Sequence, residues 1–266
     1  MRNLLKLLPL LIFISSCNDT DKEHARPSAT SDAKEDSMKA GIARFPDSML
    51  LQENLVQYYR DNGAYDKAIG LVNTMVAANS NDAHLWDIKG TLHFEDDDTL
   101  NAIHAYEKAI RLNPGNPVLV MTLGSLYAQT KDPRSLEVAD ALINNPQALA
   151  EKEGIFIKGL YYSYTGDKKK AISFFDKSLA LDYTFMFAYR EKGIALYDMG
   201  KYEEALNVLN RAITLQNNYD EGYYWMGRCL EKLNRTEEAI ESYRTALSYD
   251  PDFIEAKEAL AKLGVK

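Results

Sequence analysis

The length, composition and charge of the chain exclude several classes of protein. Its 266 residues include 31 Lys and Arg against 39 Asp and Glu, a formal net charge of -8. This balance argues against nucleic-acid binding, because phosphate contacts need clustered basic side chains. Two cysteines are too few for a disulfide-stapled scaffold or a Cys-rich zinc domain, and only 14 Gly and 8 Pro favour helices over a β-sandwich or barrel.

The N-terminus has the pattern of a secretory signal. Residues 1–6 include two basic side chains, residues 7–14 are apolar, and two serines precede Cys17. A basic start, a short apolar run and small residues before a cleavage site are typical of such signals. The apolar run is far shorter than the ~20 residues that a membrane-spanning helix needs. We therefore expect cleavage rather than a permanent membrane span.

The Ile-Ser-Ser-Cys sequence that ends this segment resembles the lipobox of bacterial lipoproteins, in which the signal is cut before the cysteine and that cysteine is acylated. The resemblance implies a lipoprotein signal peptide at residues 1–16 and a lipidated Cys17 that attaches the chain to the bacterial cell envelope. The alternative is an ordinary cleaved signal in which the cysteine lies near the cut by coincidence.

The segment that follows predicts a flexible tether. Residues 18–35 contain no large aliphatic or aromatic side chain, so they cannot bury enough apolar surface to offset the entropy lost on ordering. We expect a flexible acidic tether over 17–35, with the folded region at 36–266. The acidic residues at its start are interpreted either as a sorting signal or as simple solvation. We expect the outer membrane rather than the inner, with the chain on the periplasmic face or the cell surface.

A 34-residue repeat organises the rest of the chain. Five alanines, here named the Ala column, are separated by 34, 69, 34 and 34 residues, and 69 is two periods with one insertion. The Ala column consists of Ala68, Ala102, Ala171, Ala205 and Ala239. Glycine lies twelve residues before four of them, and an aromatic residue lies four residues after three of them. These residues are Gly90, Gly159, Gly193 and Gly227, and Tyr106, Phe175 and Tyr243. Such self-similarity indicates a stacked repeat architecture.

These columns resemble the tetratricopeptide repeat (TPR), a helix-turn-helix unit with Trp, Leu-Gly, Tyr, Ala, Phe, Ala and Pro at fixed places over 34 residues. The second repeat matches best, although Lys89 replaces the usual Leu and His93 the usual Tyr. Its matching residues are Trp86, Gly90, Ala102, Tyr106, Ala109 and Pro114. The resemblance implies an all-α fold, a right-handed α-solenoid of about six such repeats with a C-terminal capping helix. We place the repeats at 49–82, 83–116, 117–151, 152–185, 186–219 and 220–253, and the cap at 254–266.

Each column has a physical role in this arrangement. Glycine on the first helix of a repeat lets that helix pack closely against the second helix, and the Ala column permits the same contact from the other side. A glycine after the first helix, as at Gly63, Gly166 and Gly200, is a helix-stop signal. In the third repeat the second helix lacks the small-residue columns. Residues 38–44 are interpreted as a degenerate helix before the first repeat.

In proteins of this family the first helices line the concave wall of the stack. The resemblance therefore implies a partner-binding groove in repeats three to six that is mainly apolar and aromatic and carries two arginines. Its residues are Met121, Phe156, Leu160, Tyr164, Phe187, Arg190, Ile194, Tyr197, Tyr224 and Arg228. In peptide-recognition surfaces aromatic rings supply contact area and Arg binds carboxylates or backbone oxygens. The alternative is that these aromatic side chains pack between repeats and never contact a ligand.

The corresponding positions of the first two repeats are polar and differ from the carboxylate clamp with which some members of the family bind chaperone tails. That clamp needs Lys and Asn where this chain has Glu53 and Gln57 in its first repeat. The second repeat has Asp87 and Thr91 at the same positions, and His84 lies on the same face. The clamp mechanism is therefore not supported.

The sequence carries no recognisable catalytic or metal-binding motif, and we predict no enzyme activity, no cofactor and no metal. His93 falls in an inward-facing column and is interpreted as a core residue. The acidic run 95–98 lies at a turn between helices, where such residues are usually solvated. Cys229 is interpreted as a small buried hydrophobic residue.

Together these patterns predict a membrane-anchored, non-catalytic adaptor that binds a protein or peptide partner in its groove and does not bind nucleic acid. The membrane contact would be made through the N-terminal lipid. A preformed surface suits this role because binding then avoids a large ordering cost. Two alternatives remain open. One is a self-associating envelope assembly factor, and the other is a lipoprotein that binds cell-wall or polysaccharide ligands through Tyr164, Tyr197 and Tyr224.

Overall fold

The computed structural model describes residues 29–145 and 150–265, and within these ranges the chain is all-helical. Its fourteen helices are α1 (Ala29–Arg44), α2 (Met49–Asp61), α3 (Tyr65–Ala78), α4 (Ala83–Glu95), α5 (Thr99–Leu112), α6 (Pro117–Gln129), α7 (Arg134–Ile143), α8 (Glu151–Thr165), α9 (Lys168–Leu181), α10 (Met186–Asp198), α11 (Tyr202–Leu215), α12 (Asp220–Lys232), α13 (Thr236–Tyr249) and α14 (Ile254–Lys262). None of the described helices has the length and apolarity needed to cross a bilayer. The predicted signal peptide and Cys17 lie outside the described residues.

Two compact units make up the chain, one ending at Leu119 and the other beginning at Val120, here named unit 1 and unit 2. In unit 1, α2 packs against α3 and α4 against α5. In unit 2, α8 packs against α9, α10 against α11, and α12 against α13. Each of these pairs lies within one predicted 34-residue window, except that α8 begins one residue before its window, at Glu151. Helix α14 packs on α13, where a capping helix was expected. The predicted fold class, an α-solenoid of helix-turn-helix repeats, is confirmed.

The small-residue columns form the contacts inside each helix pair. All five alanines of the Ala column are 0% exposed, as are the rings of Tyr106, Phe175 and Tyr243. A Cβ added to Gly159 would lie 2.5 Å from Cε1 of Phe175, and one added to Gly227 would lie 2.6 Å from Cε1 of Tyr243. Because the paired helices leave no space for a methyl group there, the predicted role of these glycines in close packing is confirmed.

The turn after the first helix of every repeat contains one residue in the left-handed backbone region. Three of these residues are the predicted glycines, Gly63, Gly166 and Gly200, with φ of 66°, 98° and 75°. The other three are Asp97, Lys131 and Asn234, with φ of 61°, 60° and 59°. A side-chain-bearing residue in this region costs roughly 1–2 kcal/mol. The packing of the two helices therefore imposes the turn even where the sequence lacks glycine.

The third repeat keeps a small-residue face that the sequence analysis missed. In α7, Ser135 and Ala139 are both 0% exposed. A Cβ on Gly124 of α6 would lie 2.8 Å from Cγ1 of Val138, so α6 and α7 approach as closely as the other pairs. The helix lacks the alanine column itself, as the sequence indicates, but it keeps small residues at other buried positions. Ser135 takes the place of the alanine, one residue earlier relative to the preceding turn than in the other repeats.

Helix α1 begins inside the predicted tether, so residues 29–35 are helical rather than flexible. Glu35 connects α1 to the next two helices. Its carboxylate accepts a hydrogen bond from the Tyr59 hydroxyl at 3.0 Å and pairs with Lys67 Nζ at 2.9 Å and with Lys39 Nζ at 2.7 Å. Composition alone indicated disorder here because it does not count polar contacts to neighbouring helices. The part of the tether prediction that covers 17–28 lies outside the described residues.

We expect the docking of α1 to weaken in acid. The Lys39 and Lys67 ammonium groups lower the pKa of Glu35 from 4.5 to about 2. A carboxyl with a lowered folded-state pKa contributes stability above its unfolded pKa, and that contribution is lost as the pH falls from 4.5 towards 2. The effect is local because exposed ion pairs contribute little to global stability.

Hydrogen-exchange protection factors of the α1 amides, corrected for intrinsic rates, measure this docking. Protection should fall across that pH window in the wild type. In Glu35→Gln it should already be low at pH 7 and lack this pH dependence. Asp36→Asn, which neutralises the exposed acid next to it, serves as the matched control and should behave as the wild type does. Equal protection in Glu35→Gln and the wild type at pH 7 would contradict the role of Glu35.

Candidate partner-binding surface

All ten predicted groove residues lie in unit 2, on helices α6, α8, α10 and α12. The structure divides them into two groups by exposure. Four are buried, with 2–5% of their surface exposed: Phe156, Leu160, Arg190 and Tyr224. Six are partly exposed: Met121, Tyr164, Phe187, Ile194, Tyr197 and Arg228. Only the second group presents side-chain surface that a partner can contact.

The buried aromatic residues pack inside the unit. The Phe156 ring centroid lies 5.7 Å from that of Phe175 and 5.2 Å from that of Phe185. Tyr224 packs against the end of the stack, with its centroid 5.0 Å from that of Phe253 and 5.7 Å from that of Tyr243. Phe156 and Tyr224 therefore pack between repeats, which was the alternative to ligand contact.

Arg190 is buried in an ion-pair network and is not a free cation. Its Nε donates to Glu191 Oε1 at 3.0 Å, and one terminal nitrogen donates to both carboxylate oxygens of Glu221, at 3.0 and 2.7 Å. The hydroxyl of Tyr219 donates to the same Glu221 at 3.1 Å. These contacts join α10 to α12. The suggestion that Arg190 binds a partner's carboxylate is therefore at odds with the structure, since the chain's own carboxylates occupy its guanidinium.

Burial also governs the ionisation of the groups around this network. Removal from water raises the pKa of Glu191, and the neighbouring Arg190 charge opposes that rise. Burial, with a further contribution from the Glu191 charge, raises the pKa of the Tyr164 hydroxyl well above its ordinary value of 10.0. The Tyr164 hydroxyl therefore stays neutral within the field of the buried Arg190 and Glu191 charges.

Arg228 of α12 has a different environment. Its two terminal nitrogens donate to the hydroxyls of Tyr224 at 2.9 Å and Tyr197 at 3.3 Å. The guanidinium carbon lies 5.4 Å from the Tyr197 ring centroid and 5.5 Å from that of Trp225, within the range of cation–π attraction. Among the described residues, no carboxylate pairs with Arg228. It is thus a partly exposed cation, held in place by aromatic rings, with unused donors.

We use the name α10–α12 surface for four partly exposed side chains of these helices: Phe187, Ile194, Tyr197 and Arg228. Tyr197 and Arg228 are in direct contact, and Phe187 lies over the buried Arg190, whose guanidinium carbon is 5.4 Å from the Phe187 ring centroid. Met121 instead packs against a buried cluster of α7 and α8 residues that includes Ala139 and Ile157. The structure therefore brings together only part of the predicted groove.

Contacts between the first helices of successive repeats join residues that are 31 positions apart in the sequence. Arg190 and Glu221, Tyr197 and Arg228, and Glu53 and His84 are all separated by this number. Glu221 was not among the predicted groove residues, because a pairing between successive repeats does not show within a single repeat. The separation of 31 residues is the sequence signal that pairs Arg190 with Glu221.

Most of the residues that were considered for metal binding are buried or paired with other side chains of the protein. The His93 ring is largely buried, with Nδ1 3.2 Å from Asp98. In the run 95–98, Glu95 pairs with Arg60, and Asp98 accepts a hydrogen bond from the Asn101 amide at the start of α5. Cys229 is buried, which raises the pKa of its thiol to about 12. Among the described residues no three His, Cys, Asp or Glu side chains form a group that could hold a metal ion.

Comparison with known families agrees with this architecture. Sequence models described as "Tetratricopeptide repeat" match residues 83–116 and 153–185 in one case and residues 196–263 in another. The chain carries tetratricopeptide repeats. The matches cover α4 with α5, α8 with α9, and the C-terminal helices from the end of α10 to α14.

Two sequence relatives and one solved structure illustrate what the chain is similar to. Protein STIP1 homolog from Dictyostelium discoideum is 32% identical over 94 residues, covering 35% of this chain and 17% of that protein. A TPR repeat-containing protein from Methanocaldococcus jannaschii is 25% identical over 212 residues, covering 80% of this chain and 31% of that protein. A tetratricopeptide repeat protein from Parabacteroides merdae, solved by crystallography, superposes with a TM-score of 0.70 at 17% identity, over 87% of this chain and 91% of that one.

These similarities establish the repeat and the fold. The chain spans less than a third of the length of both sequence relatives, at 17% and 31%. Tetratricopeptide repeats commonly mediate protein–protein interactions, and the fold is typically a non-catalytic scaffold.

Proposed function

We propose that this tetratricopeptide-repeat chain is a lipid-anchored adaptor of the bacterial cell envelope that binds a peptide or protein partner on the α10–α12 surface. The observation that carries the binding proposal is Arg228. It is a guanidinium held by two tyrosine hydroxyls, with no carboxylate partner among the described residues.

The chemistry of the surface indicates the kind of partner. A guanidinium with unused donors binds a carboxylate or a backbone carbonyl, and a charge-assisted hydrogen bond of this kind contributes roughly 1.5–3 kcal/mol. Tyr197 offers ring surface beside it, and Phe187 and Ile194 offer further apolar area along α10. We therefore expect the partner to present an acidic side chain or a C-terminal carboxylate next to an aliphatic or aromatic residue.

Selection of a random peptide library on the full chain tests this proposal. Enriched peptides should share an anionic group beside an apolar residue, and Arg228→Gln should weaken their binding by about tenfold or more, which corresponds to about 1.4 kcal/mol. Arg235→Gln is the matched control, because this exposed arginine of unit 2 is paired with Glu238. Peptides without an anionic group, or equal binding to Arg228→Gln and the wild type, would contradict the proposal.

The anchoring half of the proposal is supported by the Ile-Ser-Ser-Cys sequence that ends at Cys17. More than one acyl chain anchors a protein stably where a single chain does not. In a bacterial host, metabolic labelling with an alkyne fatty acid should therefore mark the wild type in the membrane fraction. Cys17→Ser should lose the label and leave that fraction, whereas Cys229→Ser should keep both. Membrane recovery of unlabelled Cys17→Ser at the wild-type level would disprove lipid anchoring at this residue.

A further inference from the structure

Unit 1 contains a polar cavity that the proposed function does not use. Helices α2 and α4 enclose a volume of about 400 Å³, within the usual range for ligand pockets. Its polar lining comes from Glu53, Asn54, Gln57 and Arg60 of α2 and from His84, Asp87 and Thr91 of α4. These are the first helices of the first two repeats, where the family's carboxylate clamp is absent.

Most polar groups in the lining already have partners within unit 1. The Arg60 guanidinium pairs with Glu95. The Gln57 side-chain nitrogen donates to Asp61 Oδ1 at 2.6 Å. The Thr91 hydroxyl shares a hydrogen bond of 3.1 Å with the buried Tyr106 hydroxyl. The Arg60 charge and the Gln57 and Thr91 donors are therefore engaged within unit 1.

Asp87 differs from these three residues. Its Oδ1 atom is buried and has no hydrogen-bond partner. Arg190 pairs with the residue 31 positions later, but the residues 31 positions before and after Asp87 are Val56 and Val118. Because valine has no polar side-chain atom, neither can pair with the Asp87 carboxylate. Burial raises the pKa of Asp87, and the nearby His84 opposes that rise only in part. A carboxylate removed from water without a partner is unfavourable.

Glu53 supplies a second acidic group on the facing helix. Its carboxylate lies 3.3 Å from Nε2 of His84, whose side chain is 60% exposed. Val56, Ile88 and Leu92 form the apolar part of the wall. The cavity thus combines two carboxylates with an apolar wall. This combination suits a long side chain that has methylene groups and a cationic end.

We propose that this cavity binds a lysine or arginine side chain of a peptide, with the cation between Asp87 and Glu53 and the methylene groups against Val56, Ile88 and Leu92. Pairing would satisfy the Asp87 oxygen and compensate for its burial. The site is built entirely within unit 1. It is therefore independent of the α10–α12 surface, and either proposal can fail without the other.

Binding of a short lysine peptide to the full chain tests the proposal. The probe is acetyl-Ala-Ala-Lys-Ala-Ala-amide, and the comparison peptide carries Nε-acetyllysine, which keeps the length but removes the charge. Chemical-shift titration of the amides of α2 and α4 detects weak binding and locates it. We expect the lysine peptide to shift these amides and the acetylated peptide to bind at least about tenfold more weakly, a difference of about 1.4 kcal/mol.

Asp87→Asn keeps the shape of the side chain and removes its charge, and it should weaken the lysine peptide by about tenfold. Asp66→Asn, at an exposed acid of the same unit, should leave the affinity within twofold of the wild type. Because Asp87 has an unpaired oxygen in the free protein, Asp87→Asn should fold at least as stably as the wild type, so lost binding cannot be ascribed to unfolding.

Two outcomes would overturn the proposal: equal binding of the lysine and acetyllysine peptides, or unchanged affinity in Asp87→Asn. A third arm uses cadaverine, which has the lysine side chain's amine without a peptide. Binding of cadaverine together with no binding of the lysine peptide would show a small-amine site and overturn the assignment to a peptide.

Discussion

Arg190→Met is expected to destabilise unit 2 by about 3–5 kcal/mol, the range for removing one partner of a buried ion pair. Arg190, Glu191 and Glu221 are 3%, 9% and 7% exposed, so the substitution leaves two buried carboxylates without their cation. Methionine has a similar volume, and the effect should therefore arise from charge rather than from a cavity. Urea denaturation followed by the fluorescence of Trp225, in a Trp86→Phe background, reports unit 2 alone.

Two further variants test whether the lost charge is the cause. Arg228→Met removes an arginine that has no carboxylate partner among the described residues, so it should cost less than about 1.5 kcal/mol. Arg190→Met combined with Glu221→Leu should regain part of the stability, because it removes one uncompensated charge. If Arg190→Met unfolded at the same urea concentration as the wild type, the network would not be a stabilising connection between α10 and α12.

The structural role of Arg190 makes its variants unsuitable as tests of partner binding. Arg190 and Arg228 both belong to the groove predicted from sequence, yet loss of partner binding in an Arg190 variant would be explained by weakened folding. Only Arg228 combines exposure with unused hydrogen-bond donors. It is therefore the arginine whose substitution distinguishes recognition from stability.

The second large effect is expected for Gly159→Ala. A Cβ at this position would lie 2.5 and 2.7 Å from two ring carbons of Phe175, whose side chain is fully buried and cannot move aside. Overpacking of this kind costs about 1–3 kcal/mol, although alanine is otherwise the better helix former. The same fluorescence-detected urea denaturation measures the loss.

Gly70→Ala is the matched control, with the opposite expected sign. Gly70 lies in α3, and apart from its chain neighbours and the backbone of its own helix no atom lies within 4 Å of a Cβ placed there. Alanine should therefore stabilise the helix by about 0.5–1 kcal/mol, as measured by circular dichroism of the full chain. Destabilisation of similar size by both substitutions would show that close packing is not what requires glycine at position 159.

Gly159 and the turn residues show which structural features the sequence predicted and which it did not. Gly159 belongs to a column that recurs at the repeat spacing, and the column predicted both its helix and its close contact. The same reasoning predicted three of the six left-handed turns, those containing glycine. It overlooked Asp97, Lys131 and Asn234, because nothing in a single side chain shows that two packed helices hold its backbone at positive φ.

Contacts between elements also account for the other differences. Helix α1 extends into residues with an unstructured composition, because Glu35 meets Lys67 and Tyr59 from neighbouring helices. In α7 the buried small residue is Ser135, one position away from where the alanine column would place it. In both cases a contact with a neighbouring helix decided the local structure.

The sequence by itself determined the helical repeat, its period and its packing columns, because neighbouring helices meet at a constant separation along the chain and leave a periodic pattern of small and large side chains. Only the tertiary structure decided which groove positions remain accessible. For the polar groove positions, the outcome depends on which residue the neighbouring first helix carries 31 positions away, whereas Phe156 and Tyr224 are buried by aromatic rings of other helices. Glu221 neutralises Arg190, the Tyr197 hydroxyl accepts from Arg228 without removing its charge, and Val118 leaves Asp87 without a partner.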